Sequence, residues 1–216
     1  MTRPAPLVVK LGGRVLEAPG AAQELAREIA TLGAVPLLLV HGGGAEVTRW
    51  SERLGLLPRF HEGLRVTDPE TLDIAVAVLA GLANKRLVAA LRAGGVDAVG
   101  IAALDGGAVE IEPHPDAAFL GAVGRVRRVR TEFLNQVLDA GRVPVMASIG
   151  AFEGRLANVN ADDLAAGLAG ALGASLLVLL SDTPGLLLGG SLVDRLEARA
   201  IAELLYHPEV TGGMRP

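Results

Sequence analysis

The residues best suited to chemistry on an anion stand next to glycine. Lys10 ends the apolar run Val8-Val9 and leads into Leu11-Gly12-Gly13, and His41 ends Leu37-Leu38-Leu39-Val40 and opens onto Gly42-Gly43-Gly44. A buried strand would deliver Lys10 to the mouth of a sheet, and glycines after it would bare backbone N–H groups. An ammonium above naked amides can hold phosphate. A stray basic residue at a strand end would give the same pattern. Composition adds weight to Lys10: of 20 basic residues only Lys10 and Lys85 are lysines. In so arginine-rich a chain, a lysine marks a place that needs a compact ammonium rather than a forked guanidinium.

Two further segments are chemically pointed. Asn158-Val159-Asn160-Ala161-Asp162-Asp163 stands just before an apolar helix. Capping by Asn160 alone would account for this polar run. Alternatively Asp162 turns inward, fixes the Lys10 ammonium and leaves Asn158 to touch a substrate, because Asp163 can serve the helix dipole by itself. Arg65, in Gly63-Leu64-Arg65-Val66-Thr67, is either a salt-bridged surface group or a bidentate clamp for a carboxylate.

Several function classes are excluded or weakened. There is no Gly-x-x-x-x-Gly-Lys-Ser/Thr loop and no Gly-x-Gly-x-x-Gly, since Ala45-Glu46-Val47 follows the triple glycine. The histidines (His41, His61, His114, His207) lack metal-ligand spacing, and no protein-held metal is expected; His41 reads as a structural residue at a strand end. The chain has no cysteine, which rules out disulfides and thiolate sites and fits a reducing compartment. A net charge of −4 argues against nucleic acid. The one dense basic patch, Arg125, Arg127, Arg128 and Arg130, alternates with valine like an exposed strand edge or an oligomer contact. No segment reaches the roughly 18–20 unbroken apolar residues of a membrane span. The few residues ahead of the first strand are too short for a signal peptide, so a cytoplasmic protein without a membrane partner is expected.

The elements that must position these residues follow from patterning. Half of the residues are hydrophobic and only 3% aromatic, which suits aliphatic helices packed on strands, an α/β fold. Helices are expected over 20–32, 45–54, 132–140, 162–172 and 198–205, and strands over 35–40, 96–101 and 143–148. Thr67-Asp68-Pro69-Glu70 reads as a capping box from Thr67 to Glu70, opening a long helix to Arg92 that stops at Gly94-Gly95. Residues 57–66 read as irregular or a hairpin, and 108–130 as hairpins. Leu176–Leu180 is an unbroken aliphatic run, which predicts a central parallel strand. It ends in Ser181-Asp182-Thr183-Pro184-Gly185, a loop at a strand's carboxyl end, where open α/β sheets bind ligands.

Lys10-Leu11-Gly12-Gly13, His41-Gly42-Gly43-Gly44, Gly63-Leu64-Arg65-Val66-Thr67, Ala83-Asn84-Lys85, Asn158-Val159-Asn160-Ala161-Asp162 and Ser181-Asp182-x-x-Gly185 occur in one order across nearly the whole chain. Together they resemble the amino acid kinase family, in particular its kinases of N-acetyl-L-glutamate. The resemblance implies a three-layer αβα sandwich with a central, mostly parallel sheet. It implies an amino-acid-binding and dimerising lobe over 1–174 and a nucleotide-binding lobe over 175–216. The implied reaction is ATP-dependent phosphorylation of the side-chain carboxylate to N-acetylglutamyl 5-phosphate, a step of arginine biosynthesis, with Mg²⁺ bound through the nucleotide phosphates. Lys10 would stabilise the transferring phosphoryl group and Asp162 would orient the catalytic lysines. Gly12 and Gly13 would offer amides to the phosphates. Gly43 and Gly44 would bind the reacting end of the substrate, and Arg65 and Asn158 its α-carboxylate. Asp182, Thr183, Pro184, Gly185, Leu186 and Leu187 would line the nucleotide, with Glu209, Val210 and Thr211 near the base.

The inventory suits that chemistry. A side-chain carboxylate with a pKa of about 4.3 is already ionised at neutral pH, so no general base is required. What is required is in-line positioning and cancellation of negative charge. The family pattern continues past Gly-Met to a second catalytic lysine, and the chain stops at Pro216, one position before it is due. The expectation is therefore an incomplete nucleotide lobe, a remainder beyond Pro216, and inactivity of the chain without it. The short N-terminus predicts an arginine-insensitive homodimer. The rival readings are a kinase of carrier-protein-linked aminoadipate or glutamate from lysine biosynthesis, and a non-catalytic binding module on the same fold.

Overall fold

The computed structural model describes residues 3–12, 18–183, 185–188 and 190–204. In chain order the elements are β1 (Leu7–Leu11), α1 (Ala21–Thr31), β2 (Leu37–His41), α2 (Gly44–Arg53), β3 (Phe60–His61), β4 (Leu64–Arg65), α3 (Pro69–Ala75) and α4 (Asn84–Ala93). There follow β5 (Ala98–Ala102), β6 (Val109–Pro113), α5 (Ala117–Leu120), β7 (Val123–Val129), α6 (Thr131–Asp139), β8 (Val143–Ala147), β9 (Ile149–Phe152) and β10 (Arg155–Val159). The last are α7 (Ala161–Leu172), β11 (Leu176–Leu180), β12 (Leu187–Leu188), β13 (Ser191–Leu192) and α8 (Ala198–Leu204). A π-helical stretch, Val76–Ala83, joins α3 to α4, so Pro69–Ala93 is one helix.

Five parallel strands form the central sheet in the order β11-β1-β2-β8-β5. Their side chains alternate between two helical layers, as a sheet buried on both faces requires. Val8, Leu38 and Val40 pack on Leu164, Ala165 and Leu168 of α7. Leu11, Leu37 and Leu39 pack on Ala26 of α1 and on Leu87 and Leu91 of α4. Each fully buried leucine contributes about 1.5–3 kcal/mol. A second sheet, β6-β7-β10-β9, extends the α7 side. This is the three-layer α/β architecture.

Alternation also fixes which way the polar strand ends point. Lys10 shares a face with Val8 and is directed toward α7, while His41 shares a face with Leu39 and is directed toward α4. In register Lys10 stands beside Val40 and Leu11 beside His41, so the two side chains leave the same sheet end on opposite faces.

Four details differ from the sequence expectation or complete it. The long helix is capped by Asp68, whose Oδ1 accepts from the Thr71 amide at 2.9 Å; that hydrogen bond holds its carboxyl below the usual range. Thr67 cannot cap, because its backbone bridges to Leu120 and Ala122 and its hydroxyl donates to the Arg65 carbonyl. Among the described residues the strand Leu176–Leu180 pairs only with β1 and stands at the edge of the sheet, with Leu176 and Leu179 each 54% exposed. An unbroken apolar run fits burial on both faces but does not require it. The hairpin β9–β10 carried no sequence expectation. It turns on Glu153-Gly154, and the hairpin β3–β4 turns on Glu62-Gly63, each glutamate at positive φ (47° and 48°). Two-residue hairpin turns more often place Asn or Asp there, so the signal was weak. The arginine-rich β7 pairs along β6, where Arg125 and Arg130 meet Glu112 and Glu110. Among the described residues it meets β10 only at Val123 and Gly124, so its second half presents an edge.

Pro69–Ala93 is long and apolar enough, at a mean hydropathy of 1.7, to cross a membrane by length and composition. Here Ile74, Val78, Leu79, Leu87 and Leu91 are buried in the protein core.

Candidate active site

A cavity of about 280 Å³ opens at the carboxyl ends of β1 and β2. Lys10, Gly43, Gly44, Arg65, Asn158 and Asp162 all line it, although they come from four separate stretches of chain. Ser148, at the end of β8, and Leu79, from the π-helical stretch, complete the wall. Ser148 escaped notice in the sequence; the rule that open sheets bind ligands at strand ends would have found it.

Lys10 Nζ lies 2.9 Å from Asp162 Oδ1, and the two side chains are 13% and 48% exposed. With Asp162 half open to water the pair is screened and contributes about 1 kcal/mol or less to stability, so its effect is chiefly to fix where the ammonium sits. The helix behind it is capped independently. Asn160 Oδ1 accepts from the Asp162 and Asp163 amides at 2.8 and 3.2 Å, which leaves the Asp162 carboxylate for Lys10. Capping and lysine-holding thus coexist, on different residues. Burial, then the neighbouring Asp162 charge, pushes the Asp163 carboxyl up.

Gly43 and Gly44 are the N-cap and first residue of α2, where backbone amides have no partner within the helix. Among the described residues those two amides donate to nothing. Gly43 has φ 155°, and a Cβ there would sit 2.8 Å from Leu79 Cδ2, so the approach of helix to loop demands glycine. Arg65 is only 8% exposed. One guanidinium nitrogen, Nη2, donates to the Gly44 carbonyl and to Thr48 Oγ1, both at 2.7 Å, and Phe60 stacks 4.8 Å from the guanidinium carbon. Burial pulls its pKa down, although a guanidinium stays protonated at neutral pH. Its Nη1 is buried without a partner, and among the described residues Arg65 forms no ion pair. A buried cation with an unused donor, on a residue that lines the cavity, fits an anionic ligand group.

The residues expected at a nucleotide stand outside this cavity or outside the described residues. Gly12 is next to Lys10, but its amide donates to the Leu180 carbonyl at 2.8 Å and is not available to phosphates, because the β1–β11 ladder runs one residue further than the sequence shows. Asp182, Thr183, Gly185, Leu186 and Leu187 follow β11 on the neighbouring strand end and none of them lines the cavity. The Thr183 amide and hydroxyl bond Ser181 Oγ. Gly13, Pro184, Glu209, Val210 and Thr211 lie outside the described residues.

Behind the glycine loop, on the α4 face, sits a second polar cluster. Asn84 is fully buried; its Nδ2 donates to His41 Nε2 at 3.0 Å and to the Val145 carbonyl at 2.9 Å, and its Oδ1 accepts from Lys85 Nζ at 2.9 Å. His41 Nδ1 lies 2.8 Å from the Gly42 carbonyl. Burial, with Lys85 as a smaller cause, lowers the His41 pKa and keeps the ring neutral. His41 is structural, as its position suggested. In the sequence Asn84 is one amide at the end of the apolar stretch Val76–Ala83, within the Ala83-Asn84-Lys85 motif of the family resemblance.

A charged strand-end site of this kind on a parallel α/β sheet belongs to a phosphate-handling class, and comparison with known proteins specifies which. Residues 5–216 match the model of the amino acid kinase family. The chain belongs to the amino acid kinase family and is a phosphotransferase of that family. An acetylglutamate kinase from Methanopyrus kandleri is 47% identical over 97% of this chain and 86% of its own length. Another from Prochlorococcus marinus is 39% identical over 97% of this chain and 71% of its own. The crystal structure of smu.665 from Streptococcus mutans superimposes with a TM-score of 0.85 at 27% identity, covering 96% of this chain and 85% of that one.

Proposed function

We propose that this chain uses ATP to phosphorylate the side-chain carboxylate of N-acetyl-L-glutamate, forming N-acetylglutamyl 5-phosphate in arginine biosynthesis. The observation that carries the reading is the gathering of Lys10, Gly43, Gly44, Arg65, Asn158 and Asp162 around one small cavity. The similarity to acetylglutamate kinases supports it. The volume, near the lower end of the about 300–1,000 Å³ usual for ligand sites, suits an acylated amino acid.

Each residue then has a task. The unpartnered Arg65 Nη1 and the Asn158 side chain bind the α-carboxylate. The free amides of Gly43 and Gly44, at the positive end of α2, receive the reacting end. Lys10 offsets the negative charge of nucleophile and phosphoryl group as they approach, and Asp162 keeps its ammonium in place. When bound, ATP supplies the phosphoryl group, and Mg²⁺ held through its phosphates screens their charge. Residues after β11 would form the nucleotide lobe, and a homodimer in the cytoplasm remains the proposed setting.

The test is trapping of the acyl phosphate with hydroxylamine. N-acetyl-L-glutamate with MgATP should give the hydroxamate. Its formation only from a carrier-linked aminoadipyl or glutamyl group would overturn the substrate. ATP and N-acetyl-L-glutamate binding without turnover would overturn the enzyme reading.

A further inference from the structure

The hydrogen bonds around His41 settle its protonation. A carbonyl only accepts, so the contact with the Gly42 oxygen requires a proton on Nδ1. Asn84 Nδ2 must be the amide nitrogen, since it also faces the Val145 carbonyl, and so His41 Nε2 is the acceptor. The ring is the neutral Nδ1–H form. In a trans peptide the C=O and the following N–H point in opposite directions. Pinning the Gly42 oxygen toward His41, on the α4 face, therefore turns the Gly43 N–H toward the other side, where the cavity and Lys10 lie.

Two independent features prepare the place of Asn84. The buried face of the long helix runs through Thr71, Ile74, Ala75, Val78 and Leu79, then steps five residues to Asn84 before resuming at Leu87 and Leu91. Successive positions on one face of an α-helix are about three or four residues apart. The longer step falls in the π-helical stretch, whose i→i+5 bonding makes room for it. Across from it, Gly100 of β5 leaves the space: a Cβ there would be 2.1 Å from Asn84 Oδ1 and 2.8 Å from Lys85 Nζ.

We propose that Asn84 is a positioning residue for the phosphoryl-transfer site: it holds the His41 ring so that the ring pins the Gly42 carbonyl and aims the Gly43 amide into the cavity. This rests on the kinase reading of the cavity. The experiment replaces Asn84 by Asp, which has the same shape but, ionised, only accepts hydrogen bonds. Facing Asp, His41 keeps a proton on Nε2. At low pH the imidazolium still has its Nδ1 proton for Gly42; as pH rises, that proton is lost and the pin fails. Lys85 of α4 faces the ring, the Glu46–Arg86 pair and Arg49 line the space beside it, and its neighbours on β1 and β8 are apolar.

The expected result is a kcat for Asn84→Asp that falls at least about 10-fold with rising pH where the wild type is level, with KM for N-acetyl-L-glutamate changing less. In ¹⁵N spectra the wild-type ring should be neutral Nδ1–H, and in Asn84→Asp the Gly43 amide resonance should move as the ring titrates. A wild-type ring protonated on Nε2, or an Asn84→Asp rate profile parallel to the wild type, would overturn the proposal. If the wild type makes no acyl phosphate, the kinase reading fails, while the ring tautomer and the Gly43 amide still decide the geometry. Should Asn84→Asp not fold, Lys85→Met at the exposed end of the cluster replaces it: a shifted Gly43 amide supports the proposal, and an unmoved one with unchanged kcat overturns it.

Discussion

The chain has two lysines, and they stand in contrasting clusters on opposite faces of one sheet end. On the α7 face Lys10 meets Asp162 in a half-open ion pair that lines the cavity. On the α4 face Lys85 closes a buried chain of neutral groups, Asn84, His41 and the Gly42 carbonyl, in which every side-chain donor and acceptor named has a partner. The first keeps charge near water, where it costs little to hold and remains free to act. The second spends all its hydrogen bonds on the protein itself. The glycine loop between them belongs to both. A half-open charge pair is cheap to lose for stability and costly for chemistry; a buried neutral cluster is the reverse.

That contrast can be broken by substitution. The largest effect is expected for Lys10→Ala, with turnover falling by about 10²–10³-fold, the usual cost of one charge-stabilising donor. Calorimetry should show a nearly unchanged melting temperature, and titration should show N-acetyl-L-glutamate still bound; a large loss of stability would erase the distinction between the faces. Asn84→Leu should do the opposite and cost about 1–3 kcal/mol in denaturant unfolding, since His41 Nε2 is left buried and unpaired.

Arg65→Lys sharpens the comparison from the substrate side. A lysine cannot keep the Gly44 and Thr48 bonds and offer a second fork nitrogen at once. Affinity for N-acetyl-L-glutamate should drop about 10- to 100-fold, from roughly 1.5–3 kcal/mol for a charged hydrogen bond, with kcat less affected. The smallest effect is in pH. The folded pKa of His41 lies below its ordinary value of 6.5, so the unfolded chain binds the proton first. Its contribution to stability is complete above pH 6.5 and is lost as pH falls toward the lowered folded value, at no more than about 1.4 kcal/mol per pH unit. Unfolding curves between pH 7.5 and 5.5 should show this slope in the wild type and its loss in His41→Gln.

Much of this arrangement was legible in the chain. The strands ending at Lys10 and His41, the cap at Asn160 and the glycine stops were readable because each depends on local patterning within a few residues. The helix start was misplaced by one residue because Thr67 is occupied by a bridge to Leu120 and Ala122, more than fifty positions away. Leu176–Leu180 reads as a central strand because hydrophobicity reports an affinity for burial and not the number of neighbouring strands; among the described residues it has one neighbour, β1. Gly12 looked available because a ladder's last hydrogen bond depends on a partner strand that the local sequence does not contain.

By itself the sequence determined the α/β class, the family and the candidates for the site: residue types and local spacing decide where strands end, where helices start and which side chains carry charge. Only the tertiary structure decided which of them meet. It brought Lys10 to Asp162 from opposite ends of the chain, left one nitrogen of Arg65 buried without a partner, and turned Asn84 inward through a π-helical step. Those outcomes depend on register, packing and the need of every buried polar group for a partner, which operate across the whole fold and are written in no single stretch of it.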